Sequence, residues 1–190
     1  MTPVPGWQPV LDAIAAAHDP RVRHALQLVA DHVVAEVAGD VEGVLATLSD
    51  EPVYTVWGSS DSVGPVGRAA VRTFYEALVG SGKNRLDYVL TRVVADAGAV
   101  VTEGDFHHVF PGAALAGRVA VDVLPDRWYH VAYRALVVWV VGPDGRLSGE
   151  DIYAGEAPRV IREISPEELP HLGPATRAAA GAHPDHRHTA

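Results

Sequence analysis

The sequence predicts an α+β fold: a cone-shaped, strongly curved antiparallel (mixed) sheet with N-terminal helices packed on its concave face. Three observations predict it. Apolar residues recur at helical spacing up to residue 79, strand-like runs dominate from residue 86 onward, and turns such as Gly142-Pro143-Asp144-Gly145 join those runs as hairpins. Because such a sheet curls, helices across its concave side leave a cone that is open at one end. That opening is the natural place for a pocket.

The predicted helices rest on apolar periodicity and on capping residues. Pro20 is suited to open the longest helix and Gly39 to end it, and Asp40 is a good N-cap for the helix that follows. The apolar stripe of the longest helix has spacings of three or four residues, as expected for one buried face. The helices are predicted at residues 8–18, 20–37, 41–48 and 67–79.

The predicted strands are runs rich in β-branched and aromatic residues, bounded by Gly, Pro, Asp and Ser. A polar loop follows the first strand at residues 58–62, and a Pro111-Gly112 loop ends the long central one. The runs lie at residues 52–57, 86–94, 100–110, 117–123, 129–141 and 146–153, with an optional added strand at 160–164.

Length and composition indicate one globular domain. The chain has 190 residues, of which 48% are hydrophobic and 21% charged, which is ordinary for a globular protein. We assign residues 1–164 to a single domain with an extra N-terminal helix at 8–18. Residues 165–190 form a predicted C-terminal extension, a short helix followed by a tail, in which three histidines do not suggest a metal site.

Composition also argues against several classes of function. Without cysteine the chain has no thiolate ligand, disulfide or cysteine nucleophile, and a formal charge of -9 disfavours nucleic-acid binding. No apolar run is long enough to cross a membrane, and no secretory signal is visible at the N-terminus. We therefore expect a cytoplasmic protein with neither a nucleic-acid nor a membrane partner.

The strand at residues 100–110 carries an unusual number of ionisable side chains. Since strand side chains alternate, Glu103, Asp105 and His107 share one face, and Phe106 and His108 lie on the other. Such a face is costly to bury unless its charges are paired. It is therefore the wet face of an edge strand, a set of groups paired across the sheet with an arginine, or the wall of a polar-bottomed pocket.

Several motifs resemble the nuclear transport factor 2-like superfamily, and in particular its SnoaL-like polyketide cyclase and limonene-epoxide-hydrolase-like branch. The resemblance covers residues 25–155. It rests on the passage at residues 38–50, on Gly67-Arg68-Ala69-Ala70-Val71-Arg72-Thr73-Phe74-Tyr75, and on Asp144-Gly145-Arg146-Leu147 with Tyr153 at the final hairpin. It implies a curved-sheet cone, often a homodimer through the sheet, with a deep apolar pocket for a small organic ligand. The fold alone does not specify the reaction.

The resemblance also implies which residues act. It places Glu103, Asp105 and His107 in the pocket, although hydrolases of this kind have an Arg where Glu103 stands. It implies an acidic residue near Tyr153 on the last strand, where Glu150 and Asp151 are adjacent, and we choose Asp151. SnoaL-type cyclases use an Asp and a His as acid and base. The predicted catalytic residues are therefore Asp105, His107 and Asp151, with no metal.

The remaining predicted site residues are mostly aromatic. Aromatic side chains on strands and on a helix facing the sheet suit a pocket wall, although each also suits a plain core. His18, His24 and His32 look exposed on the N-terminal helices and receive no role. The predicted substrate-binding residues are Tyr54, Trp57, Phe74, Tyr75, Glu103, Tyr133 and Tyr153.

Together these observations favour a cofactor-independent acid-base enzyme of cyclase, isomerase or dehydratase type. A His beside carboxylates in a poorly hydrated cavity is suited to move protons near neutral pH. The expected substrate is an apolar polyketide-, terpenoid- or steroid-like molecule. Phosphate-binding glycine loops, HExxH and GxSxG are absent from the sequence, so no cofactor is implied. The alternatives are an epoxide hydrolase of the same fold and a non-catalytic small-molecule-binding protein.

Overall fold

The computed structural model of the protein describes residues 6–57, 63–155 and 157–165. Its helices lie mostly in the first half of the chain and its strands mostly in the second, as the sequence predicts. The helices are α1 (Gln8–Ala16), α2 (Pro20–Ala38), α3 (Val41–Thr47), α4 (Arg68–Gly80) and the single-turn α5 (Gly112–Leu115).

Capping residues fix the ends of α2 and α3 as predicted. The Asp19 side chain accepts a hydrogen bond of 2.8 Å from the main-chain N–H of Arg21, and Pro20 occupies the first turn of α2. Gly39 ends α2 in the left-handed conformation, with φ of 75°. Asp40 then caps α3 by accepting from the N–H of Gly43 at 2.9 Å. These contacts orient the two helices that contribute to the site.

Seven strands form one curled, unclosed mixed sheet with the order β2-β1-β6-β5-β4-β3, and β7 pairs with β5. The pair β1 and β6 is parallel, and the other pairs are antiparallel. The predicted fold class is therefore confirmed. The strands are β1 (Leu48–Trp57), β2 (Val63–Val66), β3 (Leu86–Ala95), β4 (Ala99–Pro111), β5 (Trp128–Val141), β6 (Leu147–Ala154) and β7 (Arg159–Ile164).

Two short segments differ from the prediction, and one optional strand is present. Residues 117–123 form turns and bends rather than a strand, because α5 and Gly117, with φ of 74°, redirect the chain after β4. Strand β2 was not predicted, since its four residues include a glycine and a proline. The optional strand at residues 160–164 is β7.

The main core lies between the concave face of the sheet and helices α1 to α4. It joins apolar residues of α2, α3 and α4 to inward-facing residues of every strand from β1 to β6 except the short β2. Burial of these side chains is what holds α2 against the sheet. The face of the sheet that contacts these helices is called the concave face below, and the opposite face is called the outer face.

Among the described residues no helix is long and apolar enough to cross a membrane. The predicted short helix and tail of the C-terminal extension, with its three histidines, lie outside the described residues apart from Ser165.

Candidate functional site

A bulge in β6 determines which acidic residue of the last hairpin points inward. The pairing of β6 is irregular before position 149, on the side of β1 as well as on that of β5. Gly149 has φ of 132°, and a Cβ there would collide with the main-chain oxygen of Val53. Only glycine permits this close approach. As a result the side chain of Glu150 projects onto the concave face, where it is 6% exposed.

Glu150 meets His32 and Tyr75 in the interior. The Tyr75 hydroxyl donates to Glu150 Oε1 at 3.1 Å, and His32 Nε2 lies 3.1 Å from the same oxygen. His32 Nε2 is also 2.9 Å from the Tyr75 hydroxyl, and His32 Nδ1 is 2.7 Å from Thr47 Oγ1. His32 has no exposed surface. A buried carboxylate is thus held by a phenol and an imidazole, which together satisfy its need for hydrogen bonds.

Two phenols surround this carboxylate. The hydroxyls of Tyr54 and Tyr75 are 3.4 Å apart, and both side chains are 2% exposed. Burial, followed by the negative charge of Glu150, raises the pKa of Tyr54 and of Tyr75 well above the usual value. Both phenols therefore stay protonated at physiological pH and act as hydrogen-bond donors.

Glu36 is the second interior carboxyl group. It lies one helical turn after His32 on α2, and the two side chains therefore share a face of that helix. Burial and the charge of Glu150 raise the pKa of Glu36 to about 8. Its carboxyl group makes no hydrogen bond or ion pair with any residue that the structure describes. Glu36 is therefore mostly protonated at pH 7. Glu150, by contrast, has hydrogen-bond partners in Tyr75 and His32. We call His32, Glu36, Tyr54, Tyr75 and Glu150 the interior polar cluster.

A row of aromatic rings lines the concave face of β3, β4 and β5. Phe106 stacks on Tyr88 with ring centroids 3.9 Å apart and on Tyr133 at 5.5 Å. His108 continues the row, stacked on Tyr133 at 5.5 Å and on Phe110 at 5.3 Å. The Tyr133 hydroxyl lies 3.1 Å from His108 Nε2, and the charge of Glu36 adds to burial in raising the pKa of Tyr133. The row therefore joins an apolar wall to the interior polar cluster.

Two residues at the edge of the cluster reach solvent. Glu36 is partly exposed, and Phe74, which packs on Tyr75 at 5.2 Å and on Tyr54 at 6.3 Å, is 42% exposed. A separate cavity of about 10 Å³ beside Trp139 has room for about one water molecule.

The structure places two of the acidic residues predicted for the pocket on the outer face of the sheet. Arg134 of β5 lies between them, with Nη2 2.6 Å from Glu103 Oε1 and Nη1 3.6 Å from Asp105 Oδ1. The pairing with Arg134 lowers the pKa of Glu103. Their grouping on one face is as expected, but their position is corrected, because Thr102 and Phe106 occupy the concave face of β4. The catalytic role of Asp105 stays a prediction.

His107 is also on the outer face. Its Nδ1 lies 2.9 Å from His130 Nε2, and both side chains are 1% exposed. Burial lowers the pKa of His107, and it lowers the pKa of His130 to about 4. His107 therefore pairs with a second imidazole and does not join Glu150. Its expected position in the pocket is corrected, and its catalytic role stays a prediction.

Asp151 likewise points away from the cluster. Its carboxylate accepts a hydrogen bond from the Thr55 hydroxyl on the outer face. On the same face Trp57 and Tyr153 stack with centroids 6.0 Å apart and are 48% and 44% exposed. Of the predicted substrate-binding residues, the structure gathers Tyr54, Phe74, Tyr75 and Tyr133 at the interior. It places Trp57, Glu103 and Tyr153 on the outer face.

Sequence reasoning missed His32, Glu36 and Glu150. The expectation that His32 is exposed is wrong, because it lies next to Val29 and Val33 at the edge of the apolar stripe of α2. The spacing of His32 and Glu36 by one helical turn was the available signal, since it puts two titratable groups on one helix face. Glu150 was one residue from the residue chosen, and the bulge at Gly149 accounts for the difference.

Within residues 6–57, 63–155 and 157–165, no three His, Asp or Glu side chains are grouped so that they could hold a metal ion. The interior polar cluster instead offers two carboxyl groups, one imidazole and two phenols. Such a set can donate and accept protons at adjacent positions.

A curled mixed sheet with helices on its concave face and titratable side chains enclosed between them defines a class of pocket-forming α+β proteins. Residues 29–150, more than half of the chain, match the model of the SnoaL-like domain. The chain belongs to the SnoaL-like domain family. The predicted family relationship is thereby confirmed. No curated protein sequence matches the chain significantly.

Solved structures with the nuclear transport factor 2-like fold are similar. A Shewanella putrefaciens protein assigned as a SnoaL-like polyketide cyclase is 15% identical with a TM-score of 0.58, covering 77% of this chain and 87% of that one. An LEH-like epoxide hydrolase from Mycobacterium tuberculosis is 23% identical with a TM-score of 0.51, covering 71% and 85%. RV0760c of the same organism, solved with estradiol-17β-hemisuccinate, is 18% identical with a TM-score of 0.52, covering 70% and 93%. At these identities the likeness establishes the fold alone.

Proposed function

We propose that this protein is an acid-base enzyme that moves protons on an apolar small molecule bound at the interior polar cluster. The observation that carries the proposal is the pair Glu36 and Glu150, two carboxyl groups of one cluster with different surroundings, Glu150 buried and Glu36 partly exposed. Glu150 has a phenol and an imidazole as partners, whereas Glu36 has a pKa raised to about 8 by burial and by the charge of Glu150. Two carboxyl groups in surroundings that differ in this way suit one acid and one base.

The role of Glu36 follows from its raised pKa, and that of Glu150 from its hydrogen-bond partners. At pH 7 Glu36 carries a proton that it can donate to a carbonyl, hydroxyl or epoxide oxygen. Glu150, supported by His32, is the acceptor for a proton removed from carbon. Enolisation breaks a C–H bond whose proton passes to Glu150 and whose electron pair forms the new C=C bond, and the oxygen takes its proton from Glu36. Tyr54 or Tyr75 can hydrogen-bond the same oxygen as negative charge develops.

The walls favour a flat, apolar substrate. The aromatic row from Tyr88 to Phe110 offers ring faces along one side, and Phe74 adds an edge near the cluster. These surfaces suit polyketide-, terpenoid- or steroid-like molecules with an oxygen function. The cyclase and epoxide hydrolase folds among the similar structures, and the steroid ester bound to RV0760c, are compatible with that class.

Epoxide opening by water is the second candidate, since it also needs a carboxyl acid and a carboxylate base. The Arg-x-Asp pattern of limonene-epoxide-hydrolase-like proteins has no counterpart on the concave face of β4, which presents Thr102, Gly104 and Phe106. The carboxyl groups Glu36 and Glu150 would have to supply both functions. A binding protein without turnover is the third candidate.

The experiment is a substrate panel with matched variants. The purified protein is incubated with β,γ-unsaturated ketosteroids, linear polyketide methyl esters and terpene epoxides in D2O, and products and deuterium incorporation are read by mass spectrometry. Isomerised or cyclised product with deuterium supports the proposal, and Glu36→Gln and Glu150→Gln should each lower turnover by about 10²–10⁴-fold. Asp105→Asn and Asp151→Asn are the matched outer-face controls. Diol formation would favour the epoxide hydrolase. Binding of panel members without turnover of any of them would overturn the proposal that the protein is an enzyme.

The partners and location expected from the sequence stay proposals. These are a homodimer, a cytoplasmic location, and the absence of nucleic-acid and membrane partners. Light scattering on the purified chain measures the first directly, and a monomer at micromolar concentration would contradict it.

A further inference from the structure

The Thr47 hydroxyl makes two short hydrogen bonds, and only one assignment of its single proton satisfies both. Thr47 is the last residue of α3 and is 6% exposed. Its hydroxyl donates to the main-chain oxygen of Val44 at 2.7 Å, within the same helix. A hydroxyl carries a single proton, so this bond uses it. Toward every other neighbour, Thr47 Oγ1 can act only as an acceptor.

The second contact of Thr47 therefore fixes the proton on His32. Thr47 Oγ1 and His32 Nδ1 are 2.7 Å apart, a distance at which one of the two atoms must donate. Because Oγ1 has no proton left, Nδ1 carries it. In a neutral imidazole only one nitrogen is protonated, so Nε2 is the ring atom left to exchange protons.

His32 Nε2 faces the reacting side of the cluster. It lies 2.9 Å from the Tyr75 hydroxyl and 3.1 Å from Glu150 Oε1, and Tyr75 lies 3.1 Å from that same oxygen. The single proton of Tyr75 can serve only one of these contacts well. The contact between His32 Nε2 and Glu150 Oε1 therefore needs a second proton to become a hydrogen bond. This is the proton that the pair can exchange.

We propose that Thr47 is a positioning residue that holds His32 in the Nδ1–H form, so that Nε2 shares an exchangeable proton with Glu150. The effect of Thr47 on turnover rests on the proposed function. The tautomer of His32 does not, because it follows from the hydrogen bonds of Thr47 alone. Thr47 does not touch the substrate side of the cluster and acts only through His32. Its role is to orient His32, which supports the base Glu150, as the third member of a hydrogen-bonded chain orients the second.

The direct test is 15N NMR of the wild-type protein with labelled histidine, using the two- and three-bond couplings between ring nitrogens and protons. His32→Gln, which removes the resonance, provides its assignment. The inference requires a protonated, pyrrole-type shift at Nδ1 at every pH at which the protein is folded. A neutral ring with the proton on Nε2 and a pyridine-type shift at Nδ1 would overturn it. This readout needs no substrate, so it stands or fails separately from the proposed function.

Variants test the positioning role. Thr47→Val keeps the shape but removes the acceptor, and should move neutral His32 toward the Nε2–H form. It should also lower kcat by about 10-fold or more with little change in KM, as expected when the imidazole that supports the base takes the wrong tautomer. Thr47→Ser should restore both readouts. Thr73→Val is the matched control and should leave the His32 tautomer unchanged, because the Thr73 hydroxyl also donates to a main-chain oxygen of its own helix, that of Ala69 at 3.2 Å, and does not contact His32. An unaltered tautomer in Thr47→Val would contradict the inference even if kcat falls.

Discussion

His32 Nε2 lies 3.1 Å from Glu150 Oε1, although the two residues belong to the second helix and the sixth strand. The contact joins an imidazole without exposed surface to a carboxylate that the bulge at Gly149 turns inward. Around it, Tyr75 and Glu36 complete a set of groups that can hold and pass protons. The consequences of this arrangement can be measured with or without a substrate.

Removing the charge of Glu150 should change the protonation of Glu36. The pKa of Glu36 is raised to about 8 by burial first and by Glu150 second. In Glu150→Gln the second cause is absent, so the pKa of Glu36 should fall but stay above the ordinary value of 4.5. Carbon-13 NMR of the glutamate carboxyl carbons checks this. An unchanged pKa would mean that the two carboxyl groups do not interact.

Glu36 should make the protein less stable in alkali. Its pKa is about 8 in the folded state against 4.5 in the unfolded chain, so the unfolded state releases the proton first. The free energy of unfolding should therefore decline as the pH rises from about 4.5 to 8. Glu36→Gln should be more stable than wild type at pH 9, by up to about 4 kcal/mol, and similar at pH 4.5.

Urea unfolding at several pH values measures this difference. Glu76→Gln, on the exposed side of α4, is the control and should follow the wild-type curve. A Glu36→Gln curve that runs parallel to wild type from pH 5 to 9 would show that Glu36 ionises normally in the folded protein.

His108 should make the protein less stable in acid. Burial is the largest cause that lowers its pKa to about 4, against 6.5 in the unfolded chain. The stabilising effect is present in full above pH 6.5 and is lost as the pH falls toward 4, because only the unfolded chain then takes up the proton. The loss from this residue amounts to as much as about 3 kcal/mol.

His108→Gln should flatten the acid limb of the stability curve by up to about 1.4 kcal/mol per pH unit. His18→Gln, an exposed position, should not change the slope. Chemical unfolding at intervals between pH 4 and 7 gives both slopes. Equal slopes for wild type and His108→Gln would contradict the burial of a neutral ring at this position.

Asp105→Asn should leave turnover close to wild type. The Asp105 carboxylate lies on the outer face beside a partly exposed Arg134, a pair worth about 0–1 kcal/mol of stability. The melting temperature should therefore change little as well. A large loss of turnover at unchanged stability would instead support the catalytic role that the sequence predicts for Asp105.

The sequence predicts the elements well because their causes are local. Asp19, Pro20, Gly39 and Asp40 cap helices through contacts within a few residues, and strand alternation groups Glu103 with Asp105 correctly. Alternation does not say which of the two strand faces the helices cover. That is decided by packing between distant elements, and here it put Thr102 rather than Glu103 inside.

The interior polar cluster was harder to predict because it depends on register and depth. Glu150 and Asp151 exchange faces when one residue is bulged, and Gly149 suggests a bulge without showing which of the two acidic residues it turns inward. As a polar residue of α2, His32 is predicted to be exposed. Its position next to the apolar stripe, with Glu36 one turn later on the same face, is the pattern that indicates otherwise. The sequence does predict Tyr54 and Tyr75 at the interior. Aromatic residues on a strand, or on a helix that faces the sheet, are buried whether they line a pocket or belong to a plain core.

A carbon-13 NMR titration of the glutamate carboxyl carbons from pH 4 to 10, with Glu36→Gln for assignment, tests directly whether Glu36 holds a proton at neutral pH. A buried carboxyl group that titrates near pH 8 and vanishes in the variant would establish that Glu36 holds a proton beside Glu150 at neutral pH. If every glutamate titrates within the ordinary range near 4.5, the interior has no carboxylic acid at neutral pH and the proposed acid-base pair is wrong.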